Sequence, residues 1–407
     1  MGFLSVLAFR NVFRNPRRSI LTGLTIVFGV AIVIFAQSFL EGEVKGIFDV
    51  FIQLQSGHIR VMSNDYFKHE KMLSLQYSIP DYDSIRKQIA EIPGVKIATG
   101  RIKFGVLLEH QGLTKQTLGI GIDPVKEEGI LELSKKIVLG RVIGAASDEV
   151  NIGVNMARDL RLKLNDILTV VTQTRYGSLG AKNYKVIGIF DFDSPQVDRN
   201  IFYVPLPTAQ DLLDLSGGVT EIFIMADNPD RARQVSKEIS VKLGDRYTVK
   251  AWQDQGVIYF YLTLIRYIYL IIYIIIILLS AFTILNTMFM TVLERIREIG
   301  MMKALGMRNG QLIGMVLLEA LFLGAIASTV GALIGTFISY YVSVHGLDFT
   351  RVVENMEFPT PNVYYGVFSW TYVATGFLVG VVCGVLAAVF PALRASKLEP
   401  TEALHEI

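Results

Sequence analysis

One cysteine stands in 407 residues, Cys383, and it lies inside an apolar run. That excludes an intrachain disulfide and leaves packing as its role. No excess of one charge exists either: 39 Lys+Arg against 37 Asp+Glu give a net +2, which argues for no nucleic acid and no acidic partner. The five histidines, His58, His69, His110, His345 and His405, lack metal-ligand spacing. Neither GxSxG, HExxH nor a paired-cysteine motif occurs, and no GxxxxGKS/T phosphate loop is present. No catalytic residue, no metal and no cofactor of its own are therefore expected of the chain.

Long apolar runs, by contrast, are plentiful. Residues 19–40 and 267–293 carry no charge, 311–344 carry only Glu319, and 371–393 carry none. Each exceeds the roughly 20 residues that cross a hydrocarbon core at about 1.5 Å rise per residue. The first run follows basic residues, as a cleaved leader would, but it is longer than a leader core. No small-residue cleavage site precedes Glu41, so it is read as a span. The expectation is an α-helical membrane protein with four transmembrane helices plus a large α+β extracytoplasmic domain.

Lysine and arginine set the direction. Arg10, Arg14, Arg17 and Arg18 precede the first run, and Arg295, Arg297, Lys303 and Arg308 follow the second. Arg394 and Lys397 lie in the tail, whereas residues 345–369 hold only Arg351 as a basic residue. Both termini are thus expected in the cytoplasm. The expected order is an interfacial helix at 1–18, a first span at 19–40 and a periplasmic α+β domain of two lobes at 41–262. A second span at 263–293, a cytoplasmic helix at 294–310 and a third span at 311–344 follow. A periplasmic loop at 345–369, a fourth span at 370–393 and a cytoplasmic tail at 394–407 complete it. Leu4, Leu7 and Val12 would be the apolar surface of the first helix, turned into the span at Pro16.

Between the first two spans, strand and helix signals alternate. Strands are expected at 57–63, 167–172, 184–190, 201–204, 221–226 and 247–252, and a hairpin over 96–122 that breaks at His110–Gly112. Helices are expected at 80–92, 154–164, 208–215 and 230–243. Asp191 and Asp193 are read as solvated loop acids.

The segment 294–306 is the most informative. On a helix, Val292, Ile296 and Ile299 share one face, while Glu294, Arg297, Glu298 and Met301 share the other. Met301 exposed among charges suits a protein partner, and Gly306 with Asn309 would end the helix. Within the spans, Ala327, Gly331, Gly335 and Ser339 recur every four residues, as do Gly376, Gly380, Gly384 and Ala388. Small residues at that spacing let backbones approach in lipid, so spans three and four are expected to pack together, leaving spans one and two free. Glu319 is expected to bond a neighbouring helix or the base of the 294–306 segment, and Asn286 to join helices.

The string LERIREIGMMKALGM from Leu293, followed by a span with Glu319 and Gly331, resembles the FtsX-like permease family of ABC transporters. The opening LAFRNVFRNPRRSILT from Leu7 and the tail PALRASKLEPTEAL from Pro391 fit the same family. Gly57–Val61 (GHIRV) and the single large domain look most like its lipoprotein-releasing permeases. The resemblance implies a bacterial inner-membrane subunit, paired with an identical or related permease and seated on two copies of a separate ABC ATPase. That ATPase, not this chain, would bind ATP and magnesium. Its docking site would be a coupling helix made of Glu294, Arg295, Arg297, Glu298, Gly300, Met301, Lys303 and Gly306. ATP-driven closure would move the outer domains, and the substrate would be a lipoprotein among membrane lipids, passed to a periplasmic carrier. A slot for its acyl chains is expected at Ile268, Ile272, Ile276 and Phe35. The loop expected to hook a carrier, TRYGSLGAKN from Thr174, is short and lacks proline, a departure from the pattern. Two other readings are a mechanical regulator of an extracytoplasmic enzyme and a macrolide-type exporter of small molecules or peptides.

Overall fold

The computed structural model describes residues 2–14, 16–145, 147–353 and 360–397. Residues 354–359 of the expected outer loop and 398–407 of the expected tail lie outside them. The chain divides into two compact units. The helical unit takes its described residues from Met1–Val44, Leu264–Leu347 and Tyr364–Ile407, and the α+β unit from Lys45–Thr263 and Asp348–Val363.

Four helices among the described residues are long and apolar enough to cross a membrane: Ser19–Ser56, Tyr259–Glu294, Asn309–His345 and Trp370–Ser396. The first does not stop at residue 40, where charges begin. Its α-helix runs over Pro16–Phe51 and closes in a π-helical turn, Ile52–Ser56. Nothing in Glu41–Phe51 forbids helix, and Gly57, at φ +63°, ends it. Ile26, Val27, Val30 and Ile34 of the first span form the centre of the helical core with Ala320, Leu323 and Ala327 of the third. Ala387 and Ala388 of the fourth span and Ile284 and Met288 of the second complete it.

The glycine stripes explain that centre, and they seat more than the spacing alone suggests. A Cβ on Gly331 would sit 2.7 Å from the Val27 carbonyl oxygen, and one on Gly335 would sit 3.0 Å from Ile34 Cβ. Gly376 faces Ile34, and Gly380 faces both Val30 and Ser328. Ser328 belongs to the third span, and Gly384 meets that span too, through Gly324 Cα at 3.8 Å, so the third and fourth spans pack together as expected. The stripes therefore seat the first span between the third and fourth. The first span is the most enclosed of the four, contrary to the expectation that it stands free, whereas the second is the least enclosed.

The α+β unit carries ten strands in one connected sheet. In chain order they are β1 Ile59–Ser63, β2 Val95–His110, β3 Leu113–Ile122, β4 Ile137–Gly140 and β5 Glu149–Gly153. Then come β6 Ile167–Gln173, β7 Leu179–Phe190, β8 Ile201–Pro205, β9 Glu221–Ala226 and β10 Tyr247–Ala251. The spatial order is β10-β1-β9-β2-β3-β8-β5-β7-β4, with β6 pairing β2 and β7. The two lobes expected from the sequence share one strand. Residues 95–101 of β2 pair with β9, while 102–110 pair with β3 and 106–109 with β6. The β2–β3 hairpin breaks where expected, with Gln111 and Gly112 at φ +50° and +81°. β7 begins five residues before its expected start at 184, because Leu179–Asn183 pair with Thr169–Gln173 of β6.

The π-helical turn ends inside this unit on buried charge. Arg101 Nη1 donates to the Leu54 carbonyl at 2.9 Å and Nη2 to that of Gln53 at 3.1 Å. Lys103 Nζ donates to the Gln55 carbonyl at 2.6 Å. Cations thus satisfy three consecutive carbonyls that a helix end leaves without partners. The cations are themselves paired: Arg101 with Glu127 at 2.6 Å and Lys103 with Glu221 at 2.8 Å. Glu221 also pairs with Arg60 at 2.7 Å.

Candidate functional site

The second span's helix ends at Glu294, Arg295 forms a turn, and a short helix covers Ile296–Ala304. Its inward Ile299 packs, with Val292 of the second span's helix, against Leu312, Met315 and Ala395. Glu294, Arg297 and Met301 lie on the exposed side, Met301 half exposed. Leu305, at 89% exposure, extends that apolar surface past the helix end, a residue the sequence pattern did not single out. Gly306 at φ +96° stops the helix, its N–H donating to the Lys303 carbonyl and that of Met307 to the Met302 carbonyl, both at 3.0 Å.

The charges divide into two kinds. Arg295 and Lys303, expected to face a partner, turn instead toward the chain itself. Arg295 Nη1 lies 3.2 Å from both carboxylate oxygens of Glu319, and Nη2 donates to the Asn11 carbonyl at 3.4 Å. A buried carboxylate needs a counter-charge, and Arg295 at the base of the segment supplies it. Lys303 Nζ donates to the Ser396 carbonyl at 2.9 Å. Gly300 is buried. Glu298 remains outward, yet accepts from Arg14 Nη1 at 2.9 Å and Nη2 at 2.6 Å. Leu4 and Leu7 of the first helix, expected to offer apolar surface to the membrane, pack into the same cluster as Ile299. The result is a short helix bolted down on one side, with charge and apolar surface on the other.

The expected acyl-chain slot is only partly assembled within one chain. Ile276 lines a cavity of about 20 Å³ with Ile26, Val30, Ser280, Gly380 and Cys383. Ile268 and Ile272 are exposed on the second span, and Phe35 stacks on Phe39 with centroids 5.8 Å apart. A larger groove of about 660 Å³, lined only by apolar residues such as Ile277, Phe282, Leu378 and Leu386, runs between the second and fourth spans. In the α+β unit, no cluster of His, Cys, Asp or Glu among the described residues could hold a metal ion. Asp193 pairs with Lys136 at 2.9 Å, and Asp191 accepts the Asp193 N–H. The buried acid beside that loop is Asp198 of the short helix Pro195–Asn200, which burial pushes up to about 8 while the Phe192 and Ser194 N–H groups donate to it.

The family model of the MacB-like periplasmic core domain matches residues 19–241, more than half of the chain. The model of the FtsX-like permease C-terminal region matches residues 270–400. The chain belongs to the FtsX/MacB-type permeases of ABC transporters. Among these permeases, it is 23% identical over 420 residues to the "Lipoprotein-releasing system transmembrane protein LolC" of Xylella fastidiosa (strain 9a5c). That alignment covers 99% of this chain and 95% of the relative. It is 22% identical over 415 residues to the "Macrolide export ATP-binding/permease protein MacB" of Campylobacter jejuni, covering 98% of this chain but 61% of that longer protein. The extracellular domain of the ABC-type transporter YknZ from Gram-positive bacteria aligns with 47% of this permease and 98% of that chain, at a TM-score of 0.35 and 13% identity.

Proposed function

We propose that this permease couples ATP hydrolysis by a separate ATPase to the release of lipoproteins from the inner membrane. The observation that carries the coupling half is the 296–304 helix, whose inner face is held by three other segments while Met301 and Leu305 stay exposed among charges. A bolted helix with an apolar outer edge suits a docking partner that pushes on it. The reading places both termini and this helix in the cytoplasm, the α+β unit outside, and two permease copies over two ATPases. ATP and magnesium belong to the ATPase. The lipoprotein half rests on full-length similarity to a lipoprotein-releasing relative and on the apolar second span, the least enclosed of the four among the described residues.

The test uses the permease with the ABC ATPase that co-purifies with it. Met301→Asp should abolish stimulated ATP turnover without unfolding the protein; undiminished turnover would sink the coupling role. A photo-crosslinker at Ile276 should capture an acylated protein without nucleotide and release it on adding ATP. The macrolide-export reading has nearly equal sequence support, 22% against 23% identity over almost the whole chain. Capture of phospholipid or a small amphiphile alone would favour it.

A further inference from the structure

The coupling helix and the N-terminal helix, Gly2–Arg14, meet in register. Asn11 and Arg14 lie one turn apart on one helix, and Arg295 and Glu298 are spaced the same way at the start of the other. The contacts Asn11–Arg295 and Arg14–Glu298 both join residues 284 apart in sequence. The two contacts sit at different depths. Arg295 reaches inward, to the Asn11 carbonyl and to Glu319 of the third span. Arg14 and Glu298 pair on the outside, with side chains 58% and 37% exposed. Phe9, one turn earlier, packs edge-on against Phe322 of the third span, with centroids 5.6 Å apart.

An exposed pair of this kind adds little to folding. Its geometry nonetheless fixes two things: where the Glu298 carboxylate points, and how the 296–304 helix is rolled about its axis. We propose that Arg14 is a positioning residue for ATPase docking, holding Glu298 so that the N-terminal helix and the coupling helix meet the ATPase as one unit. This rests on the coupling role proposed above. It differs from that role in giving Glu298 a partner within the chain, where the sequence pattern assigned it to the ATPase alone.

A charge swap separates the two. Affinity of the detergent-purified permease for its ABC ATPase would be measured for Arg14→Glu, Glu298→Arg and the double variant, with thermal stability followed alongside. Each single change should weaken ATPase binding about fivefold, the scale of one lost surface pair, and leave thermal stability unchanged. The double variant, which restores an opposite-charge pair, should return to within about twofold of the native affinity. Raising salt should shrink the single-variant defects, because the pair is screened. Unchanged affinity in Arg14→Glu, or a double variant as weak as Glu298→Arg, overturns the proposal. Met301→Asp is the control for the underlying role. If it binds the ATPase normally, the coupling role itself fails; if it loses binding while Arg14→Glu does not, only the positioning role of Arg14 fails.

Discussion

Gly331 and Gly314 lie on the same helix and make opposite predictions. At Gly331 an added Cβ meets the Val27 backbone 2.7 Å away, while at Gly314 nothing lies within 4 Å. Gly331→Leu should therefore push the first span off the third and cost about 1–3 kcal/mol. Gly314→Ala should be neutral or stabilising by about 0.5–1 kcal/mol, since it only stiffens helix. Thermal unfolding in detergent checks both, and equal effects would refute the packing account. Glu221 is wholly buried and paired with both Arg60 and Lys103. Burial alone would raise its pKa, but Arg60 and Lys103 hold the carboxyl down, to about 2 against an ordinary 4.5. A depressed acid gives stability that is full above the ordinary value and fades as pH falls toward the folded one. Unfolding midpoints should accordingly drop between about pH 4.5 and 2. Glu221→Gln should be less stable at neutral pH and have a shallower acid limb. A variant whose acid limb parallels the native one would discount Glu221 as the cause.

At the scale of elements, the end of the first span's helix is held by Arg101, wholly buried and bonded to Glu127 and to two helix carbonyls. Arg101→Ala strands Glu127 without a counter-charge and should cost about 3–5 kcal/mol. Replacing the pair together, Arg101→Met with Glu127→Leu, should recover most of that loss in denaturant unfolding. A double variant as unstable as the single one would mean that the helix carbonyls, not the carboxylate, carry the cost. Several elements were legible in the sequence because their signals are local. The β2–β3 hairpin carries its own turn at Gln111-Gly112, and the 296–304 helix carries its own stop at Gly306. Residues 179–183 were not legible as strand: Gly180, Ala181 and Lys182 have low strand preference, and only pairing with β6 supplies it. The glycine stripes announced the packing of the third span on the fourth but not the first span lodged against both, since spacing marks a face without saying how many helices cover it. Arg14–Glu298 was hidden for the same reason, its partners being remote in sequence, whereas the bond of Glu319 to the base of the 294–306 segment was legible, because a carboxylate inside an apolar run must find a partner.

For the whole molecule, the arginine bias makes a topology prediction. In a chain with Cys383 replaced by Ala, a cysteine at Ser178 should react with an impermeant thiol reagent added from the periplasmic side, and one at Asn309 should not. Reversed labelling would invert the orientation and move the coupling helix to the wrong side for any ATPase. The sheet of the α+β unit carries a further consequence, for the order of synthesis. β1 pairs along its whole length with β10, Ile59 opposite Ala251. The second residue is made after nearly all of the unit, and the helix of the second span starts at Gly256, a few residues later. β1 must therefore wait with both edges unpaired until β9 emerges, and with one edge unpaired until β10 does, at about 5–20 residues per second. Sheet closure and delivery of the next apolar helix then begin within the same second or so, which makes β10 the last strand whose loss to a stalled ribosome would leave β1 as an open edge.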